Sequence, residues 1–302
     1  MSSTAALPAS FGPLTSRGCP FCGDSEAEAL LANQYLSQAP RDVMAVVECR
    51  RCRLIYTNPI PTAAWNEKFL DSNPWWERRG WMDLQWQERH ELPKFSDGLA
   101  ILRKLTPSGR LIDIGTGPGF FVRLARAAGY DACGFDVLAQ DDGSGDTPIL
   151  TGSIADLPSA SFDALTLWCV VAHEPDFMDL LRNCHRILRN DGLVLIETPN
   201  MTLWRRLVRP RRVLERLSLR KASHDALGAH GHVNHFTGET LEAALRQCGF
   251  VGVEPHCVRG YGEQSAVNEM KRWLFTLSGG RVNLCHPLVM TARKPLSEPI
   301  AA

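Results

Sequence analysis

Neither sign of charge prevails in this 302-residue sequence, and long apolar runs are absent. Lys and Arg together number 33, as do Asp and Glu, so the formal net charge is zero. A neutral chain lacks the global field that draws many proteins to nucleic acid or to anionic membranes. No apolar run approaches the ~18–20 residues of a membrane-spanning helix. We therefore expect no membrane association, and we do not expect nucleic acid as a partner.

The N-terminus also lacks targeting features. Residues 1–17 contain neither the basic stretch nor the apolar stretch of a signal peptide, so we expect a short disordered lead there. Without an export signal, the ten cysteines do not predict a disulfide framework. The sequence therefore indicates a cytoplasmic protein in a reducing compartment.

Four of the cysteines form two Cys-x-x-Cys pairs, Cys19 with Cys22 and Cys49 with Cys52. A redox Cys-x-x-Cys motif normally occurs once within a βαβ pattern, whereas two pairs at this spacing suit a tetrahedral Zn²⁺ ion. We predict a structural zinc ribbon over residues 18–60, a module too small to fold by burial alone. Four protein ligands close such a site, so we expect no chemistry at the metal.

Two further regions have a biased composition and leave alternatives open. Five of the eight Trp lie within residues 61–106 and predict a helical aromatic cap, either a lid over a pocket or a packing seam. Residues 205–221 carry eight Lys or Arg and one acidic residue, and predict an amphipathic helix. That helix is either a solvated face or a clamp for an anionic partner such as a phosphorylated substrate, a carrier protein or RNA. Arg50, Arg51 and Arg53 of the ribbon leave the same choice between RNA and solvent.

From Leu111 onward, short apolar strands alternate with helices that have one apolar face. Residues 111–114 end in a glycine-rich turn, and Phe120, Phe121 and Leu124 then recur at helical spacing. Alternation of this kind predicts an α/β fold with a doubly wound, mostly parallel, Rossmann-like sheet and a C-terminal antiparallel strand. We assign residues 107–302 to this domain. Ligands of such sheets bind beyond the carboxyl ends of the strands.

The strongest chemical signal is the turn that contains Asp113, Gly115, Gly117 and Gly119, between a strand and a helix. Glycines allow a tight turn and a close approach of a ligand to the backbone. A dinucleotide fingerprint requires Gly-x-Gly-x-x-Gly, and its third glycine is missing here because position 120 is Phe. Asp136, at the end of the next strand, is placed to bind both hydroxyls of a ribose. The pattern indicates an adenosyl ligand without a pyrophosphate.

These residues resemble the class I S-adenosylmethionine-dependent methyltransferases, and the similarity covers residues 110–295. The segment Gly152-Ser153-Ile154 resembles the loop that holds the adenine edge. Residues 190–200 and 232–237 resemble two motifs of the small-molecule branch of the family. The resemblance implies the following cofactor contacts: the methionine and sugar side at Asp113, Gly115, Gly117 and Gly119, the ribose hydroxyls at Asp136, and the adenine at Ser153 and Ile154.

Histidine is the usual base near neutral pH, and methyl transfer to a hydroxyl or a carbon acid requires removal of a proton. The candidates are His173, after the fourth strand, and His232 and His235 in a late loop. Members of the family that this sequence resembles often have Glu before the first of these histidines, whereas Ala172 stands there in this sequence. A structural role is open for each of the three.

Other methylation chemistries lack their signatures. A cysteine that attacks a pyrimidine ring normally follows Pro, and Cys169 follows Trp168 instead. The Asn-Pro-Pro-aromatic motif of nucleobase amino groups and an acidic cluster for Mg²⁺ are also missing. We expect an enzyme that methylates oxygen or carbon of a small molecule in biosynthetic or secondary metabolism. The alternatives are an RNA methyltransferase that uses the ribbon and the basic helix, and a binding module that keeps the fold without the chemistry.

Overall fold

The computed structural model describes residues 14–31, 45–61, 84–137, 147–205, 232–260 and 266–296. Most of the predicted lead, four of the five clustered Trp residues and the predicted basic helix beyond Arg205 lie outside these ranges. None of the described helices is both long and apolar enough to cross a bilayer.

The described elements are as follows in chain order. The strands are β1 (Leu14–Thr15), β2 (Ala27–Leu31), β3 (Ala45–Cys49), β4 (Ile55–Asn58), β5 (Ile60–Pro61), β6 (Arg110–Ile114), β7 (Asp131–Phe135), β8 (Ile149–Leu150), β9 (Phe162–Trp168), β10 (Leu188–Thr198), β11 (Asn234–His235), β12 (Val251–His256) and β13 (Leu288–Arg293). The helices are α1 (Leu84–His90), α2 (Leu92–Leu105), α3 (Phe120–Ala127), α4 (Phe177–Ile187), α5 (Gly238–Gln247) and α6 (Ala266–Leu277), with one 3₁₀ turn at Ile154–Asp156.

The chain divides into two compact units. The first, which we call the cysteine unit, comprises Met1–Asn73 and Trp204–His235, and the second, the parallel-sheet unit, comprises Pro74–Leu203 and Phe236–Ala302. Residues 204–235, which the sequence places inside the predicted domain 107–302, thus group with the cysteine pairs. The predicted boundaries at 18–60 and 61–106 stay predictions.

The cysteine unit contains an antiparallel sheet with the strand order β11-β4-β3-β2. β11 joins this sheet through the pairs Asn234 with Tyr56 and His235 with Ile55. A buried carboxylate adds a second link, because Glu48 Oε1 lies 3.0 Å from Arg53 Nη2 and 2.9 Å from Arg205 Nε. These strand pairs and ion pairs therefore connect Arg205 and β11 to β3 and β4. Asn234 and its partner Tyr56 are almost 180 positions apart in the sequence.

The parallel-sheet unit has seven strands in the order β12-β13-β10-β9-β6-β7-β8. β6 pairs in parallel with both β7 and β9, while β13 runs antiparallel to both of its neighbours, β10 and β12. The predicted Rossmann-like α/β fold with a C-terminal antiparallel strand is confirmed. The chain leaves β6 toward β7 on one side and returns at β9 on the other, so the topological switch point lies between β6 and β9.

The central strands are mostly apolar along their length because both faces of the sheet are covered there. Leu111, Ile112, Leu165 and Leu195 are fully buried, as expected for parallel strands covered on both faces. Helix α3 packs the face that carries Phe121 and Ala125 into the same core. This packing holds the glycine-rich turn between β6 and α3 in place.

A disulfide joins Cys257, after β12, to Cys285, before β13. Neither cysteine belongs to a Cys-x-x-Cys pair, and the sequence does not predict a disulfide framework, so this bond differs from the expectation. The two residues lie 28 positions apart, yet their Cα atoms are 5.7 Å apart. They come together because β12 and β13 are antiparallel neighbours and the end of one strand lies beside the start of the other.

Candidate active site

The turn after β6 has three glycines with positive φ: 68° at Gly115, 54° at Gly117 and 81° at Gly119. A Cβ at Gly115 would lie 2.5 Å from Val170 Cγ2, so close packing excludes a side chain there. At Gly117 a Cβ would meet no atom within 4 Å. Gly117 therefore exposes bare backbone to open space, as a site for a closely bound ligand requires.

The turn is fastened to the neighbouring strand β7. The Gly115 N–H donates to the Phe135 carbonyl at 2.7 Å, and the Gly117 N–H donates to Asp136 Oδ2 at 2.9 Å. The carboxylate predicted to bind a ribose thus lies against the glycine turn. Asp136 thus connects the carboxyl ends of two adjacent parallel strands, β6 and β7.

Asp113 is buried at the end of β6, with only 2% of its surface exposed. The Thr166 hydroxyl donates to Asp113 Oδ1 at 2.5 Å. Burial raises the pKa of the Asp113 carboxyl from 3.8 to about 7, although the hydrogen bond from Thr166 opposes the shift. The Asp113 carboxyl is therefore bonded to the neighbouring strand β9 and does not face solvent.

The raised pKa of Asp113 predicts how the free energy of unfolding depends on pH. Because this pKa is higher in the folded chain than in the unfolded chain, ionisation of Asp113 disfavours folding. The resulting loss of stability grows as the pH rises from about 4 to 7. We expect Asp113→Asn to gain stability relative to the wild type, by up to a few kcal/mol, between pH 5 and pH 8. Urea unfolding at the two pH values measures this difference. The control is Asp131→Asn, whose side chain is 78% exposed; a pH-independent difference for Asp113→Asn would contradict the prediction.

The predicted adenine loop follows β8 at the same edge of the sheet. Ser153 precedes the 3₁₀ turn, and its hydroxyl accepts from the Ala155 N–H at 3.3 Å. The Arg186 guanidinium donates to the carbonyls of Ile154 at 2.8 Å and Leu157 at 2.6 Å, which holds the loop on α4. The seven predicted cofactor residues therefore belong to the ends of three adjacent parallel strands, β6, β7 and β8.

These residues fit an adenosyl cofactor. The open space at Gly117 accommodates a ligand against the backbone, and the Asp136 carboxylate is a suitable acceptor for two ribose hydroxyls. The third glycine of a pyrophosphate-binding turn is replaced by Phe120, whose side chain is buried.

The three candidate histidines are divided between the two units, one in the parallel-sheet unit and two in the cysteine unit. His173 belongs to the parallel-sheet unit, follows β9, and is half-buried with its Nε2 4.0 Å from Cys169 Sγ. His232 and His235 belong to the cysteine unit and are 7% and 3% exposed. His235 is a residue of β11. The catalytic role of each histidine stays a prediction.

A buried charge cluster at the ends of β9 and β10 has no counterpart among the sequence predictions. Lys94 Nζ lies 2.6 Å from Glu91 Oε2 and 3.5 Å from Glu197 Oε2, and all three residues are at most 3% exposed. Lys94 also lies over the Trp168 ring, 5.8 Å from its centroid. Burial raises the pKa of Glu197, Lys94 opposes the rise and Glu91 adds to it. A charged residue within the apolar run of β10 was the available signal.

The four paired cysteines meet in the cysteine unit. All four sulfur atoms lie within 4.8 Å of one another, with Cys19 to Cys52 at 3.4 Å and Cys22 to Cys49 at 3.6 Å. A tetrahedral Zn²⁺ with Zn–S bonds of ~2.3 Å needs sulfur separations of ~3.8 Å. The donor set therefore fits the predicted structural zinc ion.

The two cysteine pairs have the same backbone form. In the first, the Gly23 N–H donates to the Cys19 carbonyl at 2.8 Å, and in the second the Arg53 N–H donates to the Cys49 carbonyl at 3.1 Å. Gly23 and Arg53 both have positive φ, 75° and 69°. This repeated turn brings the two sulfurs of each pair to one side.

Comparison with known proteins identifies the family to which the chain is similar. A family model described as a methyltransferase domain matches residues 86–254. No curated protein matches the chain. The structure of 1,6-didemethyltoxoflavin-N1-methyltransferase from Burkholderia thailandensis, with bound 1,6-didemethyltoxoflavin and S-adenosylhomocysteine, is similar with a TM-score of 0.52 and 18% identity. That similarity covers 88% of this chain and all of the other.

A SAM-dependent methyltransferase from Archaeoglobus fulgidus is also similar, with a TM-score of 0.44, 20% identity, and coverage of 66% of this chain and 94% of the other.

The family match spans more than half of the chain and contains the glycine turn, Asp136 and the predicted adenine loop. The chain therefore belongs to the methyltransferase domain family and is a class I S-adenosylmethionine-dependent methyltransferase, as its sequence predicts.

Proposed function

We propose that this enzyme transfers a methyl group from S-adenosylmethionine to oxygen or carbon of a small-molecule acceptor, in biosynthetic or secondary metabolism. The observation that carries the proposal is the glycine turn, where the bare backbone of Gly117 and the Asp136 carboxylate lie side by side. The crystal structure of the Burkholderia enzyme, which has the same fold, contains a bound small molecule, 1,6-didemethyltoxoflavin.

The cofactor would be held by residues at the ends of β6, β7 and β8. Gly115, Gly117 and Gly119 would form the cradle for its methionine and sugar, Asp136 would accept from the ribose hydroxyls, and Ser153 and Ile154 would contact the adenine. Asp113 would keep the end of β6 bonded to β9. When bound, S-adenosylmethionine supplies an already activated methyl group, so the protein's task is to align the acceptor and exclude water.

The acceptor's proton requires a base, and we propose the His173 imidazole for this role. It is half-buried, and it follows β9 at the edge of the sheet that carries the glycine turn. An imidazole is neutral in part near pH 7 and can take a proton from a hydroxyl or an acidic C–H group. His232 and His235, in the cysteine unit, are the alternatives.

Two observations in the cysteine unit favour a small acceptor over RNA. Arg53 and Arg205, two of the residues considered for an RNA grip, are both paired with the buried Glu48. An arginine that neutralises a buried carboxylate is not available for a phosphate without leaving that carboxylate uncompensated. Among the ribbon arginines, Arg50 and Arg51 remain exposed.

Asp136→Ala tests the proposal directly. Loss of a charged acceptor for ribose hydroxyls should weaken S-adenosylmethionine binding by about tenfold to a hundredfold, as hydrogen bonds to charged groups contribute about 1.5–3 kcal/mol. Calorimetric titration measures the affinity, and Asp131→Ala, at the other end of β7, is the control.

The same titration, repeated in the presence of total RNA, separates the two acceptor classes. We expect the cofactor affinity to be the same with and without RNA. An affinity that increases with RNA would favour the RNA methyltransferase, because coupling between two ligands is reciprocal. An Asp136→Ala protein that binds the cofactor as tightly as the wild type would contradict the assigned site.

A further inference from the structure

A cavity of about 230 Å³ opens in the parallel-sheet unit beside the carboxyl end of β12. Its lining includes four basic side chains and one acidic side chain: Arg89, Arg259, Lys271 and Arg272, with Glu269. Four positive charges against one negative charge give the wall a formal charge of about +3, in a chain whose net charge is zero. The cavity is therefore a local concentration of positive charge.

Two of the four basic side chains that line the cavity, Lys271 and Arg272, are available to bind a ligand. Arg259 is engaged, because its Nη2 lies 2.6 Å from Asp97 Oδ1 and its Nε 3.0 Å from Asp97 Oδ2. Lys271 and Arg272 are half-buried neighbours on α6, and their side chains form no ion pair with any residue in the described part of the chain. Two such charges in one cavity favour an anion between them.

The cavity lies at the edge of the sheet where ligands bind. β13 is antiparallel to both β10 and β12, so those two strands run in the same direction as β9 and β6. The carboxyl end of β12 therefore faces the same edge as the glycine turn. With ~4.8 Å between strands, β12 lies ~10 Å from β10 and ~14 Å from β9.

Contacts connect the cavity wall to the end of β10. Asn200, which follows β10, donates through Nδ2 to the Cys285 carbonyl at 2.8 Å, and the disulfide links Cys285 to Cys257 in the same wall. On the other side, Pro93 lines the cavity, and the adjacent Lys94 contacts Glu197 of β10. The wall is thus held beside the strand ends where the acceptor is expected.

We propose that this cavity binds an anionic group of the methyl acceptor, a carboxylate or a phosphate, with Lys271 and Arg272 as its donors. The inference rests on the proposed function, since it identifies the chemical class of the acceptor. A base that follows β9 and an anion site at β12 require an elongated acceptor. Its anionic group would lie on the order of 10–14 Å from the atom that receives the methyl group, given the spacing of strands.

The test uses the full chain with S-adenosylhomocysteine present, and titrates inorganic phosphate and benzoate separately at low ionic strength. We expect saturable binding of at least one anion, and the stronger of the two identifies phosphate or carboxylate as the acceptor group. The double variant Lys271→Ala/Arg272→Ala should weaken this binding by about tenfold or more, because it removes two charged donors to the anion. The control, Arg246→Ala, removes an exposed arginine on α5 and should leave the binding unchanged.

S-adenosylmethionine is titrated into the same proteins, and melting temperatures confirm that they are folded. Cofactor binding without saturable binding of either anion would overturn the anion site and leave the proposed function standing. Equal anion binding by the double variant and the wild type would overturn it as well. Anion binding by a wild-type protein that does not bind the cofactor would instead contradict the proposed function.

Discussion

Gly117→Ala is expected to lose at least about a hundredfold in S-adenosylmethionine affinity, which corresponds to roughly 2.7 kcal/mol of binding free energy. The protein should still fold, because a Cβ at this position would meet no protein atom within 4 Å. The added methyl group would instead occupy the space in which the cofactor is expected to approach the backbone. Calorimetry of the purified variant measures the affinity.

A matched control separates this steric effect from backbone strain. Gly252 in β12 has a φ of 58°, close to the 54° of Gly117, and its Cβ would also meet nothing within 4 Å. Alanine at either position therefore carries a similar strain of about 1–2 kcal/mol. Gly252→Ala should show that loss of stability with unchanged cofactor affinity. Wild-type affinity in Gly117→Ala, or an equal loss in both variants, would contradict the assigned cradle.

Cys49→Ser is expected to remove the zinc ion and to unfold the cysteine unit. Cys49 is fully buried and is the last residue of β3, so its sulfur belongs both to the predicted metal site and to the core of a small sheet. Structural zinc sites contribute about 10–16 kcal/mol of binding free energy, which becomes folding free energy when the site is absent from the unfolded chain. A small module has little apolar burial to replace it.

The measurement combines zinc quantification with hydrogen exchange of the β2, β3 and β4 amides. We expect one zinc per wild-type chain, and none in Cys49→Ser together with fast exchange across these strands. Cys248→Ser, a half-buried cysteine at the end of α5, serves as the control and should keep both the metal and the protection. Protected strands in a zinc-free Cys49→Ser protein would show that the sheet does not depend on the metal.

Much of the parallel-sheet unit could be predicted because its signals are local. Residues 111–114 were expected as a strand and form most of Arg110–Ile114, and the helical stripe from Phe120 forms Phe120–Ala127. The side-chain period of a buried strand and of an amphipathic helix depends on residues a few positions apart, and turn glycines mark where each ends. The glycine turn was found for the same reason.

Contacts between distant positions were not predictable in this way. No pattern near Glu197 in the sequence predicts that Lys94 and Glu91 lie beside it. Likewise, Cys257 and Cys285 belong to no motif that predicts their disulfide bond. The pairing of β11 with β4 was also not predictable, because a strand of two residues is too short to show the alternation of apolar and polar side chains that marks a strand.

The sequence by itself determined the α/β class, the position of the glycine turn with Asp136 that we expect to bind the adenosyl group, and the set of four cysteines. Each of these depends on the type and spacing of nearby residues. Only the tertiary structure decided which unit holds each candidate histidine, where the buried Lys94 charge cluster lies, and that Lys271 and Arg272 share a cavity. Strand order and helix packing bring such residues together across the fold, and burial then sets the energies of their charges.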